Sequence, residues 1–444
     1  MQKKMFIYYF FPCLLIFILE MFYYFFDCKY QSLIFLSFIF EFISIVFLMK
    51  NKLVFSPAIF ADIYLFFLLT YQIKLVKTYS DLSFSTIYLI FISMFLWKII
   101  NIYDGNIIQK SKLKKSFSFD VDSKKFRIAI YILFSISTFF MILEWYVAGG
   151  IPALRADSEI FRFNVSINGI THILAISNKI VAILILSYFM GNKISMLKQF
   201  DLLCILFLSV LQIFLTSMRG ELAIILFTFV SLYYLSKNPK IWKIICLTIP
   251  LLLMIGIFPI IRKYGIYGEN YIVDQKALST YRDLWYLTPL YQTFTDSIRV
   301  LDIVVKMIPN YFSFGFLDYS ILPQIPLVDI GKDLSYSIAQ YLNSYFYSGL
   351  TSTYLGPAYA DLGVFGAILY TVIFSLFGRA LYIKYVEKRS FKYTILYIFC
   401  FFHIIMLSYG TMANLPFVVY FFLILILCNF FEKKENKYEN SIYR

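Results

Sequence analysis

IAIYILFSISTFFMILEWYV, residues 128–147, is a predominantly apolar and aromatic run of about 20 residues, the length that crosses a hydrocarbon core of about 30 Å at about 1.5 Å per residue. Runs of the same character recur at 6–26, 32–49, 58–76, 86–103, 171–190, 202–216, 222–235, 244–261, 362–385, 393–407 and 415–431, with short polar clusters between them. The composition agrees: 61% hydrophobic residues, 21% aromatics and a mean hydropathy of +0.75 cannot be buried inside a water-soluble globule. In lipid a helix satisfies its own backbone, so the expected fold class is all-α, a polytopic membrane helical bundle. It should have about twelve transmembrane helices and form one integral membrane domain over 1–444. The first run follows Lys3 and Lys4 as a signal peptide would, but it is too long and lacks an A-x-A cleavage site, so it reads as a span.

Basic residues near span ends are retained in the cytoplasm, which sets the orientation. With the N-terminus inside, segment 110–127, the clusters Lys237/Lys240/Lys243 and Lys384/Lys388/Arg389/Lys392, and the tail 433–444 all fall inside, and both termini are cytoplasmic. The formal net charge of +14 is thus partly ordinary topology. The arginines divide differently from the lysines. Arg155, Arg162, Arg219, Arg262, Arg282 and Arg299 all fall outward, and guanidinium groups suit bidentate capture of phosphate or carboxylate. An outward anion site is the second expectation. Nucleic acid is excluded as a partner because no soluble basic domain exists to bind it. The two histidines, His172 and His403, lie on different spans, and five of the six cysteines lie within spans, so no metal or disulfide pattern exists. No P-loop or dinucleotide fingerprint is present, and no cofactor is expected.

Two outward loops are long enough to house chemistry. The first, 148–170, reads AGGIPALRADSEIFRFNVSINGI. If it is helical, Arg155 and Arg162 project from one side about 10 Å apart, a spacing that could hold a diphosphate and its attached sugar. The same pair could equally be salt-bridged on a surface helix by Asp157 and Glu159. The second loop, 262–361, contains an amphipathic stretch at 281–308 expected to lie along the membrane surface, followed by a proline-punctuated segment, 309–326. Asp296, Arg299, Asp302 and Lys306 argue against its insertion. A short outward turn, Ser217-Met218-Arg219-Gly220-Glu221, places an arginine beside a glycine that lets backbone approach a ligand and a carboxylate that can orient the guanidinium; plain snorkelling is the alternative. Glu20, Glu41, Lys179 and His403 lie inside spans and each wants a partner or a cavity. Lys179, about two turns below the outer end of its helix, either lines a cavity beneath the arginines or snorkels to the surface.

Three stretches carry a resemblance. They are GGIPALRADSEIFRF (149–163), TSMRGELAIILF (216–227) and TSTYLGPAYADLGVFG (351–366), in that order along the chain. Together they resemble the O-antigen polymerases, the Wzy-type oligosaccharide repeat-unit polymerases, over most of the chain. Pro357 departs from the pattern, since many relatives have an acidic residue there, which leaves Asp361 or another carboxylate in that role. The resemblance implies polymerisation of undecaprenyl-diphosphate-linked oligosaccharide units into O-antigen or capsule by a GT-C-like membrane glycosyltransferase, in the bacterial cytoplasmic (inner) membrane. Amphipathic helices of the large periplasmic loop would cap the outer face, and a flippase and a chain-length regulator would be partners beside the membrane lipids. On this reading Arg219 and Arg162 bind the diphosphate, supported by Arg155, Lys179, Arg262, Arg282, Arg299 and Tyr359. His172, Glu221 and Asp361 are the candidate bases. A glycan ligase of the O-antigen-ligase type shares the donor chemistry, and a lipid-linked oligosaccharide flippase also needs cations, but in a central cavity. The long outward loop favours the enzyme.

Overall fold

The computed structural model describes residues 6–25, 31–51, 53, 55–101, 121–155, 161, 165, 169–192, 199–237, 243, 264, 268–307, 351–410 and 415–432. These form helices α1 (Phe11–Phe25, entered through a π turn at Phe6–Phe10), α2 (Gln31–Lys50), α3 (Ile59–Gln72), α4 (Phe84–Asn101), α5 (Ser123–Ala148), α6 (Gly169–Ala175), α7 (Asn178–Asn192), α8 (Phe200–Leu215), α9 (Arg219–Lys237), α10 (Glu269–Leu278), α11 (Thr288–Met307), α12 (Leu355–Lys388), α13 (Phe391–Met406) and α14 (Leu415–Phe431). Among the described residues there is no strand, only two isolated antiparallel bridges, Val76 with Ser279 and Val121 with Glu432.

Five segments are long and apolar enough to cross a membrane: Leu33–Lys50, Phe84–Asn101, Ser123–Ala148, Gly169–Gly191 and Leu355–Lys388. Six shorter apolar helices fall on six more of the expected runs. The remaining run, 244–261, lies outside the described residues. The chain is a multi-pass, all-helical membrane protein. Large apolar side chains such as Phe35, Phe42, Phe139 and Phe207 are exposed, as helix faces in contact with lipid require.

Contacts divide the chain into two compact units, Met1–Lys114 with Ile249–Val386 and Cys400–Phe417, and Lys115–Thr248 with Glu387–Phe399 and Val418–Arg444. In the first unit the amphipathic stretch is a 3-10 turn, Arg282–Leu287, leading into α11. The apolar face of α11 is covered by α3 and α4 of its own unit, with Ile298, Leu301 and Val304 fully buried. Polar contacts hold it across the end of the bundle where α3 stops and α4 begins. The Tyr291 hydroxyl donates to the Tyr71 carbonyl at 2.6 Å. Asp302 Oδ1 accepts from the Ser83 amide, the Ser83 hydroxyl and the Thr86 hydroxyl, each at 2.8 Å. A carboxylate there also meets the positive end of the α4 dipole, and Lys306 pairs with its other oxygen at 2.5 Å. The charges that argue against membrane insertion are therefore the ones that dock the helix.

The stretch 351–366 is a helix, a break and a longer helix. Leu362 and Gly363 leave helical geometry inside α12, with Gly363 at φ 61° and ψ −148°, a region essentially reserved for glycine. A side chain at Gly366 would sit 2.0 Å from the Ala358 carbonyl oxygen, so the break closes only because that residue has no Cβ.

The second unit is built around α7, whose residues Ile180 to Ile185 are buried on every side among α5, α8 and α9, as a helix apolar all round must be. One end is closed by an aromatic cluster of Phe126, Tyr188, Phe391 and Phe431. Asp122 caps α5 at that end through the Lys124 and Lys125 amides. At the other end α5 stops at Gly149, which takes the left-handed φ of 76° that a C-cap needs.

Candidate functional site

The end of the second unit away from the aromatic cluster gathers most of the polar side chains that its helices bury. Glu144, in the last turn of α5, is buried, and its two oxygens meet the first turn of α6. The Thr171 hydroxyl donates to Oε1 at 3.2 Å, and His172 Nδ1 lies 3.0 Å from Oε2. A carboxylate at that distance holds the proton on Nδ1 and leaves the Nε2 lone pair free. The His172 side chain is 24% exposed, while Glu144 is sealed behind it. A small cleft beside the pair is lined by Glu144, Trp145, Pro152, His172, Thr216 and Met218.

The turn between α8 and α9 forms one wall of that cleft. Ser217 takes a left-handed φ of 60°, and Thr216 Oγ1 accepts the Met218 amide at 3.3 Å, which turns the chain sharply into α9. Arg219 is the first residue of α9 and is placed by its backbone alone. Its position matters chemically, because the unpaired amides and dipole of a helix N-terminus favour an anion.

Lys179 lies just past the break between α6 and α7, where the expected continuous span is interrupted at Ile176 and Ser177. It is buried and ion-paired with Glu221, and its ammonium sits 4.2 Å from the centre of the Tyr420 ring. The Tyr420 hydroxyl is in turn fixed to the Ile173 carbonyl at 2.6 Å. Glu221 and Lys179 thus neutralise each other. Each is thereby engaged by the other rather than presented to a ligand.

Arg155 departs from the helical expectation for the first long loop. Pro152–Leu154 is a single 3-10 turn and Arg155 follows in extended geometry, at φ −98° and ψ 143°, so the two-turn spacing to Arg162 does not begin there. The Arg155 guanidinium stands 4.2 Å from the centre of the Phe161 ring, and its aliphatic stem passes over Gly150, where an added Cβ would meet it at 3.6 Å. Stacking on a ring fixes the plane of the guanidinium. Arg162 and Arg262 lie outside the described residues.

The other sequence candidates belong to the first unit. Arg299 Nε lies 3.6 Å from Asp296, and its guanidinium is 5.3 Å from the centre of the Tyr79 ring. Burial, reinforced by Asp296, raises the Tyr79 phenol well above its ordinary range, so it stays a neutral donor to that carboxylate. Arg282 is exposed at the start of the 3-10 turn before α11. Tyr359 and Asp361 are buried in the short helical arm before the α12 break, with Asp361 fully enclosed. A fully enclosed carboxylate is poorly placed to receive a proton from an incoming hydroxyl.

Arg155, His172, Lys179, Arg219 and Glu221 therefore come together in one unit, and Glu144 joins them. Glu144 was not among the sequence candidates. Its signal was an acidic residue inside the run 128–147, where a carboxylate costs energy unless something nearby uses it.

No match was found among curated proteins or among solved structures. A family model does match, over residues 52–423, and it is described as "Putative O-antigen polymerase". That span takes in α3 through most of α14 and every residue of the cluster just described. The chain belongs to the O-antigen polymerase family.

Proposed function

We propose that this protein polymerises undecaprenyl-diphosphate-linked oligosaccharide repeat units into a surface polysaccharide, O-antigen or capsule, on the outer face of the bacterial cytoplasmic membrane. The family supports a polymerising, glycosyltransferase-like role. The observation that carries the finer reading is the His172–Glu144 pair beside the N-terminus of α9, which Arg219 heads.

Transfer of a glycan from one lipid diphosphate to another needs a base at the acceptor and stabilisation of the leaving group. A hydroxyl on the incoming unit attacks the anomeric carbon of the growing chain. Its proton passes to His172 Nε2 as the new C–O bond forms, and Glu144 stabilises the imidazolium that results. The bond from the anomeric carbon to the diphosphate oxygen breaks, and the lipid diphosphate leaves with its electrons. Direct displacement inverts the anomeric configuration. Negative charge builds on the leaving oxygen, where Arg219 and the α9 amides compensate it in a water-poor site. Arg155, stacked on the Phe161 ring in the same unit, supports the binding of the second phosphate or the attached sugar. Twelve spans, with both termini inside, keep this end of the bundle outward. A flippase of the same pathway would deliver the acceptor and a chain-length regulator would limit the product.

The test is the surface-polysaccharide ladder of cells lacking the protein, complemented by wild type or Arg219→Ala at matched expression. Wild type restores long chains and Arg219→Ala leaves single repeat units. Long chains made without the protein would overturn the polymerase reading. Single units that fail to reach the cell surface in the deletion would point to a flippase, and complete chains left on the lipid carrier to a ligase.

A further inference from the structure

Within the first unit, at the depth of the apolar runs, the π turn and α1 to α4 enclose a group of charges that the proposed transfer does not use. Lys98 on α4 is fully buried and donates to three acceptors: Asp62 Oδ1 on α3 at 2.5 Å, the Tyr9 carbonyl at 3.0 Å and Ser44 Oγ on α2 at 3.3 Å. Three acceptors around one nitrogen account for all three N–H bonds of an ammonium, so Lys98 is charged. The Ser44 hydroxyl donates a hydrogen bond to the same Asp62 oxygen, at 2.8 Å. Glu41, one turn before Ser44 on α2 and also buried, faces this pair and interacts electrostatically with the Asp62 carboxyl. Cys13 closes the α1 side.

Two counts then fail to close. The first is charge: two carboxylates and one ammonium leave one negative charge in a sealed apolar interior, which folding strongly opposes. The second is hydrogen bonds. Both oxygens of Glu41, and Asp62 Oδ2, are buried without a partner. Two carboxylates cannot bond to one another, because each only accepts.

One hydrogen closes both. We propose that Glu41 and Asp62 together form a proton-binding site in the membrane interior, with Glu41 as the neutral acid donating to Asp62 Oδ2 and Lys98 balancing the remaining charge. A bound sodium ion would satisfy the charge count as well. It needs a full shell of oxygens, however, and Tyr9, Ser44 and Asp62 Oδ1 already serve Lys98. The site stands apart from the proposed polymerase chemistry and holds or fails independently of it.

The test is infrared spectroscopy of the purified full chain in lipid nanodiscs, in sodium-free buffer, reading the carbonyl stretch of protonated carboxyl groups. Wild type shows such a band, and Glu41→Gln removes it, since the amide supplies Asp62 with its donor without a titrating proton. An unchanged spectrum in Glu41→Gln overturns the proposal, and so does loss of the wild-type band on adding sodium, which would assign the site to a metal cation. If Glu41→Gln does not fold, the Glu20→Gln/Glu144→Gln variant labelled with carboxyl-13C glutamate replaces it, which removes the other buried glutamates among the described residues. The band must then shift with the label, and a band that does not shift overturns the proposal.

Discussion

His172 and Glu144 make opposite demands on a substitution. If the imidazole takes the acceptor proton and the carboxylate only holds the ring, His172→Ala should cut polymerisation by about 10²–10⁴-fold. Glu144→Gln should cut it less, because an amide still meets Nδ1 but no longer stabilises the imidazolium. Polymerisation by purified protein on lipid-linked repeat units, at matched protein amount, measures both. Equal activity in His172→Ala and wild type would remove His172 as the base. Lys98 and Asp62 give a second test. Lys98→Met strands a carboxylate in the bundle and should cost about 3–5 kcal/mol, whereas the double variant Lys98→Met/Asp62→Leu should recover most of the loss, as replacing a whole buried pair by apolar groups does. Thermal unfolding in detergent reads both, and a double variant no better than the single would break the pairing argument. Residue type and loop position were enough to single out Arg155, His172, Lys179, Arg219 and Glu221 from the sequence, since a polar group at a span end is visible as such. Glu144, Asp62 and Lys98 were not singled out, because a lone charge within an apolar run shows its cost but not its partner. Asp62 and Lys98 are 36 residues apart, and only the packing of α3 on α4 reveals that each answers the other.

Helix breaks and docking faces are where the chain's short polar motifs act. Gly363 sits in a conformation that costs any other residue about 1–3 kcal/mol, and Gly366 has no room for a methyl group against the Ala358 carbonyl. Gly363→Ala and Gly366→Ala should therefore both lower the yield of folded protein. Gly220→Ala, on α9 with open space around the missing Cβ, should fold as well as wild type or better, by about 0.5–1 kcal/mol. Size-exclusion profiles and melting temperatures separate the three. A Gly366→Ala protein as stable as Gly220→Ala would show that the α12 break has another packing. The same comparison shows what periodicity can and cannot supply. The apolar stripe of α11 was legible at 281–308. Its covering surface was not, because an amphipathic face is compatible with lipid headgroups or with protein, and the Asp302 contacts to Ser83 and Thr86 span more than 200 residues of chain.

Orientation in the bilayer is a property of the whole chain, and it rests on where the lysines fall. The apolar helices were readable because hydropathy needs no knowledge of neighbours: eleven of the twelve runs coincide with helices, five of them long and apolar enough to cross a membrane. The division into two units was not readable, since chain segments far apart in sequence contribute to each. The run 244–261 decides the parity. If it spans, the Lys237/Lys240/Lys243 cluster is inside while Leu154 and Arg282 both face out. If it does not, Arg282 falls inside and the large loop lies on the cytoplasmic face. One cysteine at a time, introduced into a Cys28→Ser background whose remaining cysteines lie in the apolar runs and labelled in intact cells with a membrane-impermeant maleimide, decides between these. Leu154, Lys124, Arg282 and Lys388 suit the purpose because each is exposed in the structure. Leu154→Cys and Arg282→Cys should label from outside, and Lys124→Cys and Lys388→Cys only after the membrane is opened. Labelling of Arg282→Cys only in opened cells would place the large loop where flipped, lipid-linked repeat units do not reach it, and Arg282 and Arg299 could then take no part in binding them.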